Sequence, residues 1–198
     1  MNYLAHAYLS FNHPGILTGN MISDYVKGKK KFDYSVEILK GINLHRAIDT
    51  FTDNHPATKE AKQFFKKDYR LYSGAFVDVV FDHFLAKDRN EFIDDDALKS
   101  FASTTYSLLQ NDIEIFPERF QKMFPYMKEQ NWLYNYQFDD MIKKSFCGLE
   151  RRAVYLTETS IAFDIFISEY KNLASCYQDF FPSVKNFSRQ YIEQSLNN

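Results

Sequence analysis

The chain is expected to fold entirely as helices, and three observations carry that expectation. Only 6 Gly and 5 Pro punctuate its 198 residues, little turn chemistry for an all-β chain. Apolar residues recur at helical spacing, as in Tyr170, Leu173, Tyr177 and Phe180. The greasiest stretch, Ala75 to Ala86, runs 12 residues without Gly or Pro, longer than most buried strands, although Val77, Val79 and Val80 favour strand locally.

Taken in order, helical patterns cover Asn2 to Phe11 and Gly15 to Val26, the latter stopped at Gly28. The next runs from Tyr34 to Thr52 on the stripe Ile38 and Ile42. Pro56 opens a helix to Lys67, because a first-turn residue loses nothing by lacking an N–H. Ser73 to Ala86 follows, with Asp78 and Asp82 sharing one face at i and i+4. Asp96 to Gln110, Pro117 to Glu129, Phe138 to Val154 and Thr159 to Phe181 complete the main set, before one closing helix. No repeat or low-complexity linker marks a boundary, so residues 1–198 are read as a single domain.

Hydrophobic residues at 45% and charged residues at 25% exclude disorder, and 20 Phe with 14 Tyr imply a core of large rings. A formal charge of −2 without a long basic stripe argues against nucleic acid, and no apolar run reaches a membrane span. Cys147 and Cys176 form neither a CxxC pair nor a metal spacing, which suits a reducing compartment. MNYLAHAYLSF lacks the basic region and cleavage site of a secretory signal. A cytoplasmic protein is expected; the oligomeric state is left open.

The informative residues are polar groups inside apolar patterns. GAFVDVVFDHFLA, from Gly74 to Ala86, carries Asp78, Asp82 and His83 on a helix buried on nearly all sides. An unpaired buried carboxylate costs several kcal/mol, so these groups require partners, whether core hydrogen bonds and ion pairs or a metal. Asp82 and His83 stand about 100° apart on the helix, and Asp78 lies one turn back, placed to ligate or to orient a ligand. In GINLHRAIDTFTDNHP the core stripe turns polar at His45, Asp49 and Thr52. His45 and Asp49, at i and i+4, can offer a nitrogen and an oxygen to one cation or simply bond each other. His6 sits on a small apolar helix, as a core residue or a ligand. Asp24 is a further ligand candidate or a solvated helix end, and Lys27 a phosphate anchor or a helix-terminal lysine. Asp53 and His55 read as turn and capping groups, and Trp132 as core or the lining of a channel. The gathering of His6, Asp24, His45, Asp49, Asp78, Asp82 and His83 in the first 83 residues favours a site for Mn²⁺, Fe²⁺, Ni²⁺ or Zn²⁺ and a hydrolase.

The strings NYLAHAYLS, GNMISDYVKG, GINLHRAIDTFTDNHP and DVVFDHFLA, with FQKMFPYMKEQNWLYNY and GLERRA further on, resemble the acyl carrier protein phosphodiesterase family, the holo-carrier-protein hydrolases. That family is an atypical branch of the helical HD phosphohydrolases. The resemblance spans nearly the whole chain and implies an HD-like helical architecture and a divalent cation, typically Mn²⁺. It also implies hydrolysis of the phosphodiester joining 4′-phosphopantetheine to a serine of holo acyl carrier protein, giving the apo protein. The matching residues are Asp24, His45, Asp49, Asp82 and His83, with His6 beside them; their order departs from H…HD…D, since Asp precedes His at Asp82 and His83.

On that reading Asp24, Asp49 and Asp82 are candidates for ligand or general base, and Lys27 and Arg46 anchor phosphate, with Arg151 or Arg152 as further cations. Lys27, Lys29, Lys30 and Lys31 form either a solvated loop or a dock for an acidic carrier protein. The alternatives are an HD-type hydrolase of small nucleotides or phosphodiesters, and a catalytically silent carrier-binding module.

Overall fold

The structure is a computed structural model that describes residues 1–151, 156 and 158–196. Among these residues every regular element is helical. The elements are α1 (Tyr3–Tyr8), α2 (Pro14–Ile22), α3 (Val36–Asn54), α4 (Pro56–Tyr69), α5 (Ser73–Lys87), α6 (Asp95–Asn111), α7 (Glu118–Glu129), α8 (Trp132–Asn135), α9 (Asp139–Glu150), α10 (Ser160–Ser168) and α11 (Tyr170–Leu196), with short 3₁₀ turns between some of them.

Most starts follow local chemistry. Ser35 caps α3 by accepting from Ile38 N, Asp94 caps α6 from Ala97 N, and His55 caps α4 through Nδ1 with Pro56 as first residue. His55 therefore does the capping expected of it, while Asp53 pairs with Lys62 at 2.6 Å. Some boundaries differ from the periodic pattern. The expected first helix stops at Tyr8 because Phe11 and Asn12 adopt positive φ, 47° and 61°, which turns the chain into α2. The expected Thr159 to Phe181 helix is two helices, broken at Glu169, and the second runs on to Leu196 through Pro182. The expected end of α9 at Val154 lies outside the described residues.

α5 is the central rod. Phe76, Val77, Val79, Val80, Phe81 and Leu85 are fully buried, and α1, α4, α9 and α11 pack around it. Rings dominate these contacts, with Phe76 against Phe65, Tyr69 and Phe146 and Phe81 stacked on Phe180. Each such buried side chain contributes roughly 1.5–3 kcal/mol, which helps α5 carry polar groups in the same core.

α2 and α3 pack backbone to backbone. A Cβ on Gly19 would lie 2.0 Å from Ile38 O, and one on Gly41 2.2 Å from Ile16 O. Glycine at both positions lets the helices approach until a side chain of one reaches a carbonyl of the other. That contact positions the site.

Candidate metal centre

Four of the residues singled out in sequence converge where α1, α2 and α3 meet. His6 from α1 and His45 from α3 stack with ring centroids 3.9 Å apart and planes 15° from parallel. Asp49, one turn along α3 from His45, places Oδ1 3.3 Å from His6 Nε2 and Oδ2 3.2 Å from His45 Nε2. Asp24, on the 3₁₀ turn Ser23–Tyr25, brings Oδ1 3.1 Å from His45 Nε2. Both imidazoles are buried, Asp49 is half-exposed and Asp24 faces solvent, so the set has a dry floor and an open rim.

Asn20 fixes which nitrogen of each ring faces that rim. Its Nδ2 donates to His6 O at 2.8 Å and Ser10 Oγ at 3.0 Å, which leaves Oδ1 as acceptor for His6 Nδ1–H at 2.8 Å. The backbone carbonyl of the same residue accepts from His45 Nδ1–H at 2.7 Å. A carbonyl can only accept, so both rings carry a proton on Nδ1 and turn Nε2 toward Asp49. The approach of α2 to α3 at Gly19 and Gly41 permits the second bond. Asn20 was legible in sequence only as a residue four before Asp24, and its partners depend on that packing.

Burial and charge oppose one another in this cluster. Burial and the neighbouring His45 hold His6 neutral, its pKa below the usual value. Burial works against charge on His45 too, but Asp24 and Asp49 outweigh it and raise its pKa to about 9. Burial likewise opposes ionisation of Asp49, yet the two imidazoles keep its pKa well below the carboxylate range; contact with His45 lowers that of Asp24. His6 Nε2 is a buried lone pair without a hydrogen-bond partner, facing a carboxylate oxygen. Two acceptors 3.3 Å apart call for a proton or a cation between them. Ligand atoms of His6, His45 and Asp49 all lie within 4.8 Å of one another, and two imidazoles with carboxylates fit the divalent ions expected from the sequence.

Asp82 and His83 do not join this set. Asp82 is fully buried, and its carboxylate accepts from Leu4 N at 2.7 Å, Asn2 N at 3.2 Å and Ala5 N at 3.3 Å, tying down the start of α1. Burial pushes its pKa up to about 7 against the pull of the Met1 nitrogen and these amides. Asp78 accepts from that Met1 nitrogen at 2.8 Å. His83 donates Nδ1–H to Tyr136 O at 2.8 Å, while Nε2 meets Tyr170 Oη at 3.1 Å and Asp139 Oδ1 at 3.7 Å. Of the expected phosphate anchors, Arg46 donates to Val26 O at 3.0 Å and so clasps the segment after Asp24, while Lys27 is exposed beyond it. Lys29 and Lys30 are exposed on the 3₁₀ segment Gly28–Asp33, and Lys31 reaches Asn43 Oδ1 at 3.3 Å. Arg151 is exposed; Arg152 lies outside the described residues.

The model of one protein family, described as acyl carrier protein phosphodiesterase, matches residues 1–184 and so takes in every residue of this cluster. The chain belongs to that family. Relatives named acyl carrier protein phosphodiesterase include those of Photorhabdus laumondii, 30% identical over 92% of each chain, and Yersinia enterocolitica, 31% identical over 93% of this chain and 95% of the relative. That of Yersinia pestis is 32% identical over the same shares. No solved structure matches. No helix among the described residues is long and apolar enough to cross a membrane.

Proposed function

We propose that the chain is a metal-dependent phosphodiesterase that removes 4′-phosphopantetheine from a serine of holo acyl carrier protein, leaving the apo protein. The observation that carries this reading is the orphaned Nε2 of His6 turned, with that of His45, toward Asp49 in a member of this family. His6, His45 and Asp49 would hold the ion, most suitably Mn²⁺, with Asp24 at the open side. The chemistry supplied by a bound divalent cation is Lewis acidity toward a phosphoryl oxygen and a lowered pKa for water.

The chain's own residues do the rest. Asn20 keeps Nε2 of both rings aimed at the rim, so no ring flip is needed before an ion binds. In the ion-free protein His45 keeps its second proton up to about pH 9, so an ion must displace it. Asp24, its pKa lowered by His45 and its side chain exposed at the rim, would complete the ligand set or accept the proton of an attacking water. Arg46 holds the backbone at Val26 and thereby Asp24, while Lys27 supplies positive charge beside a diester that carries its own negative charge. Lys29 and Lys30, exposed just beyond, offer a basic approach for an acidic carrier protein. Asp82 and His83 serve the frame: one ties α1, which bears His6, to α5, and the other ties α5 to the chain before α9.

The deciding experiment incubates purified protein and Mn²⁺ with holo carrier protein and, separately, with a nucleotide panel, following carrier mass and phosphate release. Loss of the phosphopantetheine mass from the carrier alone is expected. Turnover of nucleotides alone, or tight carrier binding without turnover, would overturn the proposal.

A further inference from the structure

The first turn of α1 has a second face. Asn2 and Tyr3, one helical turn before His6, line a cleft of about 800 Å³ that opens between α1, α7, α8 and α9. That size lies within the roughly 300–1,000 Å³ of small-molecule sites. Tyr3 also links the cleft to the metal cluster: its hydroxyl shares a 2.8 Å hydrogen bond with that of Tyr25, the neighbour of Asp24. The two hydroxyls lie 3.7 and 3.5 Å from Met123 Sδ, and Trp132 stands 6.2 Å from Tyr3 between ring centroids. Trp132, read from sequence as core or channel lining, is therefore a partly exposed wall of this cleft, its Nε1–H held by Gln130 Oε1 at 3.0 Å.

The lining alternates in character. Tyr3, Met123, Trp132 and Met141 are apolar surfaces, while Asn2, Gln130 and Ser145 offer hydrogen-bonding groups. Three cations, Lys143, Lys144 and Arg151, and one carboxylate, Asp140, also belong to the lining. A flexible chain of methylene and amide units matches these apolar surfaces and hydrogen-bonding groups.

We infer that this cleft receives the pantetheine arm of the substrate, with the diester at the cluster beside Asn2 and Tyr3 and the arm running past Trp132 toward α9. The inference rests on the function proposed above and adds where the non-reacting part of the substrate binds. Binding energy from such a remote part is a source of specificity for a holo carrier protein over a bare phosphodiester.

Trp132 is the only tryptophan, so its fluorescence reports on the cleft without labelling. Titration of the full chain with 4′-phosphopantetheine should give a saturable change, pantetheine a weaker one and inorganic phosphate none. Gly148 lines the cleft on α9, so Gly148→Leu adds bulk to its wall as an obstruction. Ser145→Leu, three residues earlier on α9, is a second obstruction. Both should weaken the phosphopantetheine signal and raise KM for holo carrier protein about tenfold, with wild-type metal content and helical circular dichroism. Wild-type turnover of holo carrier protein with a silent Trp132, and unchanged KM in both variants, overturns the cleft assignment. A saturable Trp132 response without any carrier turnover supports the cleft and overturns the enzymatic reading instead.

Discussion

Two groups of histidines and carboxylates, their imidazoles buried, belong to this fold, and they differ in where their polar atoms go. Around α5, Asp82 is consumed by three backbone amides and His83 by a carbonyl and a tyrosine hydroxyl. At the meeting of α1, α2 and α3, the histidines spend only Nδ1 on the protein and leave Nε2 facing carboxylates at 3.1 to 3.3 Å. The first arrangement satisfies backbone groups that water cannot reach. The second concentrates lone pairs and negative charge on one point, which is costly without a proton or a cation there. The residue types and the burial of the histidines are alike in the two groups; leftover bonding capacity separates the proposed ligand set from a structural tie.

The sharpest way to break that distinction is to truncate one member of each group. On the proposed function, His45→Ala should lower Mn²⁺ affinity and carrier hydrolysis at least 100-fold while the far-ultraviolet circular dichroism of the helices persists, because the proposed ligand set would lose one member. Asp82→Ala should retain stoichiometric metal but unfold at lower urea, by about 2–4 kcal/mol, since three amides at the start of α1 lose their acceptor. Metal analysis and urea titration of both variants check this. Loss of metal from folded Asp82→Ala, with retention in His45→Ala, would invert the assignment.

A smaller effect should come from the residue that holds the ligands rather than from a ligand. Asn20→Ala removes the acceptor of His6 Nδ1–H but leaves the backbone carbonyl that orients His45. Loss of one such orienting bond lowers metal affinity by roughly 10-fold to 100-fold, so isothermal titration with Mn²⁺ should place this variant between wild type and His45→Ala. An unchanged affinity would show that the stacking of His6 on His45 suffices to hold the ring.

The fold and half of the candidate cluster were legible along the chain because both depend on spacing. Helical periodicity located the elements, and the polar interruption at His45 and Asp49 stood out because one face of α3 must carry both. Proximity in sequence also misled. Asp82 and His83 looked like ligands because they are adjacent and buried, yet adjacent helix positions diverge, one toward α1 and the other toward Tyr136 and Tyr170. The role of Asn20 depends on the backbone contact at Gly19 and Gly41, and the partnership of His83 with Asp139 and Tyr170 spans 56 and 87 residues. Pairings at such range are set by packing, which no local pattern records.

The mildest test concerns protonation of the α5 group. Burial holds His83 neutral and lowers its pKa to about 4, with Lys87 acting in the same direction and Tyr136 O and Asp139 against it. The folded value lies below that of the unfolded chain, about 6.5, so the unfolded chain binds the proton first as pH falls. Stability from this group is complete above about 6.5 and is lost toward about 4, amounting to about 1–2 kcal/mol between pH 7 and pH 5. Asp82, raised to about 7, works in the opposite sense across the same window, so the measure is the difference between wild type and His83→Phe. The variant should shed the His83 share of the pH 7 to pH 5 decline in urea midpoint, apart from a constant offset for the lost bond to Tyr136. If the decline is the same in both proteins, His83 is charged inside the fold at pH 5 and Asp139 stabilises that charge. The α5 histidine would then resemble His45, which also carries a proton against its carboxylates, and leftover bonding capacity alone would no longer separate the two groups.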